Sequence, residues 1–137
     1  MPPAHTKLPE LLRRLSPRLH PAPYVFVAVP PGEPLPPRGT AICEFREAEA
    51  TTLVLTETQA SALDYGGAAP LAYITLTVYS SLEAVGLTAA VSTALASRGS
   101  SCNVIAGYHH DHLFVPFARA ADAMAALEEL QAGAERS

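Results

Sequence analysis

The chain has 137 residues, 49% hydrophobic and 16% charged, with a net charge of −4 at pH 7; this suits one compact domain, or two very small ones sharing a core, under a lightly charged surface of the kind that self-associates. Its nine Lys and Arg are scattered, which excludes the basic face of a nucleic-acid binder, and no apolar run approaches the roughly 20 residues of a membrane helix. No apolar h-region follows Met1-Pro2-Pro3-Ala4-His5, and Cys43 and Cys102 match no C-x-x-C pattern, so the expectation is a reducing, cytoplasmic compartment with both cysteines small and buried.

Eleven of the thirteen prolines fall within the first 37 residues and punctuate a short helix and a first strand. Leu8, Leu11, Leu12 and Leu15 share one helical face, with Pro9 tolerable in the first turn and Ser16-Pro17 ending the helix. Residues 24–29 read as an apolar strand, followed by a stiff proline-rich loop over 30–37. Residues 41–46 and 51–55 flank a hairpin turn at 47–50. Thr56-Glu57-Thr58-Gln59 has capping-box spacing, so a helix to about Leu63 is predicted. Asp64-Tyr65-Gly66-Gly67 breaks it, and residues 66–70 mark the boundary between a first half, 1–68, and a second, 69–137.

The second half is cleaner. Residues 73–79 alternate, with Ile74, Leu76 and Val78 on one face and Tyr73, Thr75, Thr77 and Tyr79 on the other. A helix is predicted over about 86–98, with Leu87, Val91, Ala94 and Leu95 on its inner face and Gly99 as its C-terminal cap. Ser80-x-x-Glu83 offers a competing capping box that would start this helix earlier and put Gly86 inside it. Strands follow near 102–106 and 111–115. A last helix over about 118–132 turns Ala120, Ala123, Met124, Leu127 and Leu130 inward and ends at Gly133. The order β-α-β-β-α is that of a split βαβ sandwich, α+β in class, with helices on one face of an antiparallel sheet.

Residues 80–88 (SSLEAVGLT), together with 103–108 (NVIAGY) and 110–116 (HDHLFVP), resemble a family of small, free-standing tandem ACT proteins of uncharacterised role. The second domain of that family is similar to the regulatory ACT domains of aspartate kinase. In the first half, Phe45-Arg46-Glu47 followed by Thr52-Leu53-Val54-Leu55 resembles the family's degenerate first domain, although Ala50 stands where the hairpin would carry Gly. The resemblance spans roughly residues 8 to 131. It implies tandem ferredoxin-like folds, pairing of domains into a continuous sheet, and a free amino acid bound at a domain interface; it does not imply catalysis, and no cofactor is expected.

The candidate ligand site is Val85, Gly86, Leu87 and Thr88 with Cys102 and Asn103. Backbone N–H groups at a helix start receive a carboxylate, glycine permits close approach, and the Asn103 amide both donates and accepts. The plainer reading of Gly86 is a tight strand-to-helix connection. His109, His110, Asp111 and His112 raise a metal reading, with His110 and His112 on one strand face, but no third ligand is evident and His5 and His20 are distant in sequence. Catalytic readings fail on partners: Ser80 and Ser81 lack a G-x-S-x-G frame, and neither Cys102 nor the Glu83/Asp111 pair has a recognisable activating group. The expectation is therefore a non-catalytic, amino-acid-binding homodimer or larger homo-oligomer. A ligand-free oligomerisation module and a metal protein using the 109–112 tip stand as the alternatives.

Overall fold

The computed structural model describes residues 4–66 and 68–137; Gly67, within the expected boundary, lies outside the described residues. Packing divides the chain into two units, one formed by Ala22–Leu71 and one by the chain up to Pro21 together with Ala72–Ser137.

The second of these units is a complete α+β sandwich. Its first helix, α1 (Leu8–Arg13), carries its proline in the first turn, where a missing N–H leaves no helical bond unmade. Leu11 and Leu15 are fully buried in the same core as helices α3 (Leu87–Ala96) and α4 (Ala120–Glu135). Strand β4 (Leu71–Leu76) feeds α3, strands β5 (Asn103–Ala106) and β6 (Asp111–Pro116) form the next hairpin, and α4 follows a single 3-10 turn. The sheet order β1-β4-β6-β5 is completed by the start of strand β1 (Pro17–Val29). This is the ferredoxin-like arrangement, with the fourth strand taken from the N-terminal segment of the chain. Ala72, Ile74, Leu76 and Val78 face the helices and are buried, as their alternation predicts.

The other unit contains the rest of β1 with strands β2 (Cys43–Arg46) and β3 (Thr51–Thr56), in the order β2-β3-β1 and antiparallel at both pairings. Val25, Val27 and Val29 alternate inward against Leu53, Leu55 and Ala60. Helix α2 (Glu57–Ala62) opens with the expected capping box: Thr56 Oγ1 accepts from the Gln59 N–H, and the Thr56 N–H donates to the Gln59 side chain at 3.0 Å. The hairpin closes with the Glu47 N–H on the Ala50 carbonyl at 3.0 Å. Ala50 keeps a negative φ, so the turn never needs the conformation that glycine would supply.

Three sequence boundaries move by more than two residues. β1 begins at Pro17 rather than Tyr24. Its prolines 17, 21 and 23 all have the same parity, so along an extended strand their missing donors fall on one edge and the other edge keeps its N–H groups. β4 ends at Leu76 instead of Tyr79, because the following backbone bonds in turn to Ser16, Leu15, His109 and His5 rather than to one continuing ladder. Finally, α4 runs through Gly133 to Glu135. Glycine there keeps its N–H and introduces no clash, so it weakens the helix by about 1 kcal/mol relative to Ala without ending it.

Candidate functional site

The connection from β4 to α3 is built by backbone bonds and by Ser81. The His5 N–H donates to the Tyr79 carbonyl at 2.9 Å, and the Ser81 N–H donates to the His5 carbonyl at 3.0 Å. Ser81 Oγ accepts from the Glu83 N–H at 3.1 Å, a local turn that takes the place of the competing Ser80/Glu83 capping box. The helix therefore starts at Leu87, with Gly86 as its N-cap in the left-handed region at φ 98° and no side chain capping it. The positive φ favours glycine here, and a Cβ would also sit 3.2 Å from Leu8 Cδ2, asking that side chain to shift by a few tenths of an ångström. The Ala90 N–H bonds back to the Gly86 carbonyl. The N–H groups of Leu87, Thr88 and Ala89 are thus the first-turn donors that helix geometry leaves unpaired.

These donors lie beside a cavity of about 360 Å³, whose walls include Val85, Gly86, Leu87 and Thr88 on one side and Ala106, Gly107 and Asp111 on the other. Gly107 allows the hairpin to close tightly. Its N–H donates to the His110 carbonyl, and a Cβ would stand only 2.9 Å from that oxygen. Asp111, paired opposite Ala106 at the start of β6, is half-buried. Burial raises its carboxyl above the usual value, while His112 and His110 pull the other way. Four of the six candidate residues line this cavity. Cys102 and Asn103 are not among its lining residues. Cys102 packs against the core, and burial pushes its thiol up to about 11, away from the thiolate form that nucleophilic chemistry uses. Asn103 is exposed opposite Phe114 on β5, the last strand of the order.

Asp111 and the hairpin glycine were missed as cavity residues. The hairpin register sets Asp111 against Ala106, but only the packing of that hairpin beside the start of α3 shows which corner they reach. A second adjoining cavity, of about 350 Å³, has walls that include Ala4, Tyr79, Glu83 and Tyr108, and it shares Ser81 and Leu82 with the first.

The histidines are distributed, not gathered. His112 Nδ1 lies 3.0 Å from the Tyr73 hydroxyl and 3.1 Å from Thr75 Oγ1. His20, distant in sequence, stacks on Tyr73 at 3.8 Å and bonds the same Thr75 hydroxyl at 2.8 Å through Nε2. Burial lowers the pKa of both, for His20 with help from Arg18 and His112, and for His112 with help from His110 against Asp111. His110 precedes β6, so strand alternation does not carry it to the partners of His112; its Nδ1 is 3.0 Å from the Val78 carbonyl. His109 packs near both Tyr79 and Tyr108, with ring centroids 5.0 and 5.1 Å away. Among the described residues, no group of three or more His, Cys, Asp or Glu is arranged to hold a metal ion.

Two family models of the ACT domain match the chain, one over residues 3–72 and the other over residues 69–129. The chain belongs to the ACT-domain family. This tandem ACT protein is 43% identical to a Vibrio cholerae protein of unknown function, described as a possible transport protein; the match covers 90% of this chain and 95% of that one, with a TM-score of 0.77. A protein from Agrobacterium tumefaciens shares the fold at 15% identity, covering 84% and 87% of the two chains with a TM-score of 0.70. So does the regulatory subunit of aspartate kinase from Thermus flavus, at 10% identity, 83% and 95% coverage and a TM-score of 0.59. Among curated proteins nothing matches. ACT domains are regulatory, non-catalytic modules that typically bind amino acids. No helix among the described residues is long and apolar enough to cross a membrane.

Proposed function

We propose that this tandem ACT protein is a cytoplasmic, non-catalytic sensor that binds a free amino acid at the Gly86 corner and self-associates. One observation carries the reading: the start of α3, uncapped by any side chain, opens on a cavity of about 360 Å³ that also holds a half-buried carboxylate. The ligand carboxylate takes the N–H groups of Leu87, Thr88 and Ala89, where the helix dipole favours negative charge. The ligand ammonium faces Asp111, and its charge lowers the cost of keeping that carboxyl ionised. Val85 and Leu87 supply apolar wall.

Asn103 opens the neighbouring strand β5, Cys102 immediately precedes it, and among the described residues β5 is the last strand of the sheet order. A second copy pairing there would bring Asn103 toward a ligand held between subunits, which joins binding to assembly. Binding then stabilises one arrangement of the paired domains, and a partner protein reads the difference.

A thermal-shift screen against the common amino acids at millimolar concentration tests this. A ligand at about 100 times its dissociation constant adds about 2.7 kcal/mol, a shift of several degrees at this size. A selective rise in midpoint for one amino acid is the expected result. A flat response across the panel sinks the sensor reading and leaves an oligomerisation module.

A further inference from the structure

The second cavity differs in chemistry from the first. Its wall holds Tyr79, Tyr108 and Glu83, and the His109 ring packs near both tyrosines. Tyr108 is 71% exposed at the tip of the β5–β6 hairpin, where a large aromatic gains little from folding. Glu83 is exposed and belongs to none of the ion pairs among the described residues. Ala4 also lines the cavity, and the adjoining His5 is bonded to the Tyr79–Ser81 backbone. Two tyrosine rings and a carboxylate with no ion pair along one recess favour a cation over a neutral or anionic group. The two cavities share Ser81 and Leu82, so a group anchored at the Gly86 corner can extend into this recess across that shared wall.

We propose that Tyr79, Tyr108 and Glu83 form a cation subsite that selects amino acids with an ammonium or guanidinium side chain. This rests on the amino-acid reading of the Gly86 corner. The side-chain cation lies against the tyrosine faces and pairs with Glu83, while the α-carboxylate stays at the start of α3. Neutral and acidic amino acids leave the recess unfilled or bring like charge to Glu83.

Calorimetric titration with arginine, lysine, alanine, aspartate and agmatine separates the possibilities, because agmatine carries the guanidinium but no α-carboxylate. Glu83→Gln and Tyr108→Ala are both surface changes that leave the core untouched. The expected result is tightest binding of arginine or lysine, weakened about tenfold by either substitution, with any weak binding of alanine unchanged. Amino acids binding irrespective of side-chain charge, unaffected by Glu83→Gln, would overturn the cation subsite and leave the sensor reading intact. Agmatine binding as tightly as arginine, lost in Glu83→Gln, would support the subsite and count against the carboxylate site at α3. Absence of binding by all five compounds would overturn both.

Discussion

Gly86 holds φ at 98° beside Leu8, and any larger residue there is charged twice, once by backbone strain and once by the displaced leucine. Gly86→Val is therefore expected to lower stability by about 1–3 kcal/mol as well as abolish binding, so it does not isolate the site. Asp111→Asn does. It keeps the side chain's shape and removes the charge, and it is expected to weaken amino-acid binding by roughly 1.5–3 kcal/mol, the usual worth of a hydrogen bond to a charged group, read by calorimetry. The same change has a signature in the absence of ligand. The folded-state carboxyl is raised, so its contribution to stability is present below the unfolded-state value and is lost as pH rises through the folded one. The variant should match the parent near pH 3 and be more stable at pH 7, as denaturant titrations at the two pH values would show.

His20 and His112 have the opposite sign. Their folded-state pKa values are lowered, so the stability they contribute is present above about pH 6.5 and lost as pH falls through their folded values. The cause is shared: both rings contact the Thr75 hydroxyl in a partly buried cluster, and a second proton there would face the first as well as Arg18 and His110. Melting temperature should drop between pH 7 and pH 5. A His20→Gln/His112→Gln double variant should show a flatter profile over that interval, and an unchanged slope would remove these residues as its source.

At the scale of single elements, α2 shows how a six-residue helix persists in water. A helix that short is unstable alone, and its reciprocal Thr56–Gln59 cap with the burial of Ala60 holds it in place. Thr56→Ala should cost about 1 kcal/mol in chemical denaturation. By contrast, α3 has no side-chain cap at its start and a glycine turn at its end, where the Ser100 N–H reaches the Leu95 carbonyl and Gly99 has φ 74°. Its hold on the structure is the row Leu87, Val91 and Leu95, all buried, so its anchoring does not rest on a side-chain cap at its start.

At the scale of the whole molecule, the N-terminal segment is part of the second unit's core. α1 packs against α3 and α4, Gln131 bonds the Arg13 carbonyl at 2.9 Å, and the first residues of β1 complete the sheet order. A fragment of residues 69–137 lacks that helix and that strand and should show no cooperative melt. In the full chain, Leu11→Ala should cost about 2–5 kcal/mol, because it empties a site with no exposure. A sharp melt from the isolated fragment would show that the segment is dispensable.

Local chemistry was legible in the residues themselves. The capping box at Thr56, the alternation of Ile74, Leu76 and Val78, the α3 stripe and the β-α-β-β-α order all follow from spacing, because capping and amphipathic burial act over a few residues. Gly86 at the head of α3 was readable for the same reason. The tertiary structure alone decided which distant residues meet: His20 with Tyr73 and Thr75, Ala4 with Tyr79, Asp111 with the start of α3, and α1 within the core of the second unit. Those meetings depend on strand register and on the path of a proline-rich segment, and neither leaves a periodic trace in sequence because each is fixed by contacts between residues tens of positions apart.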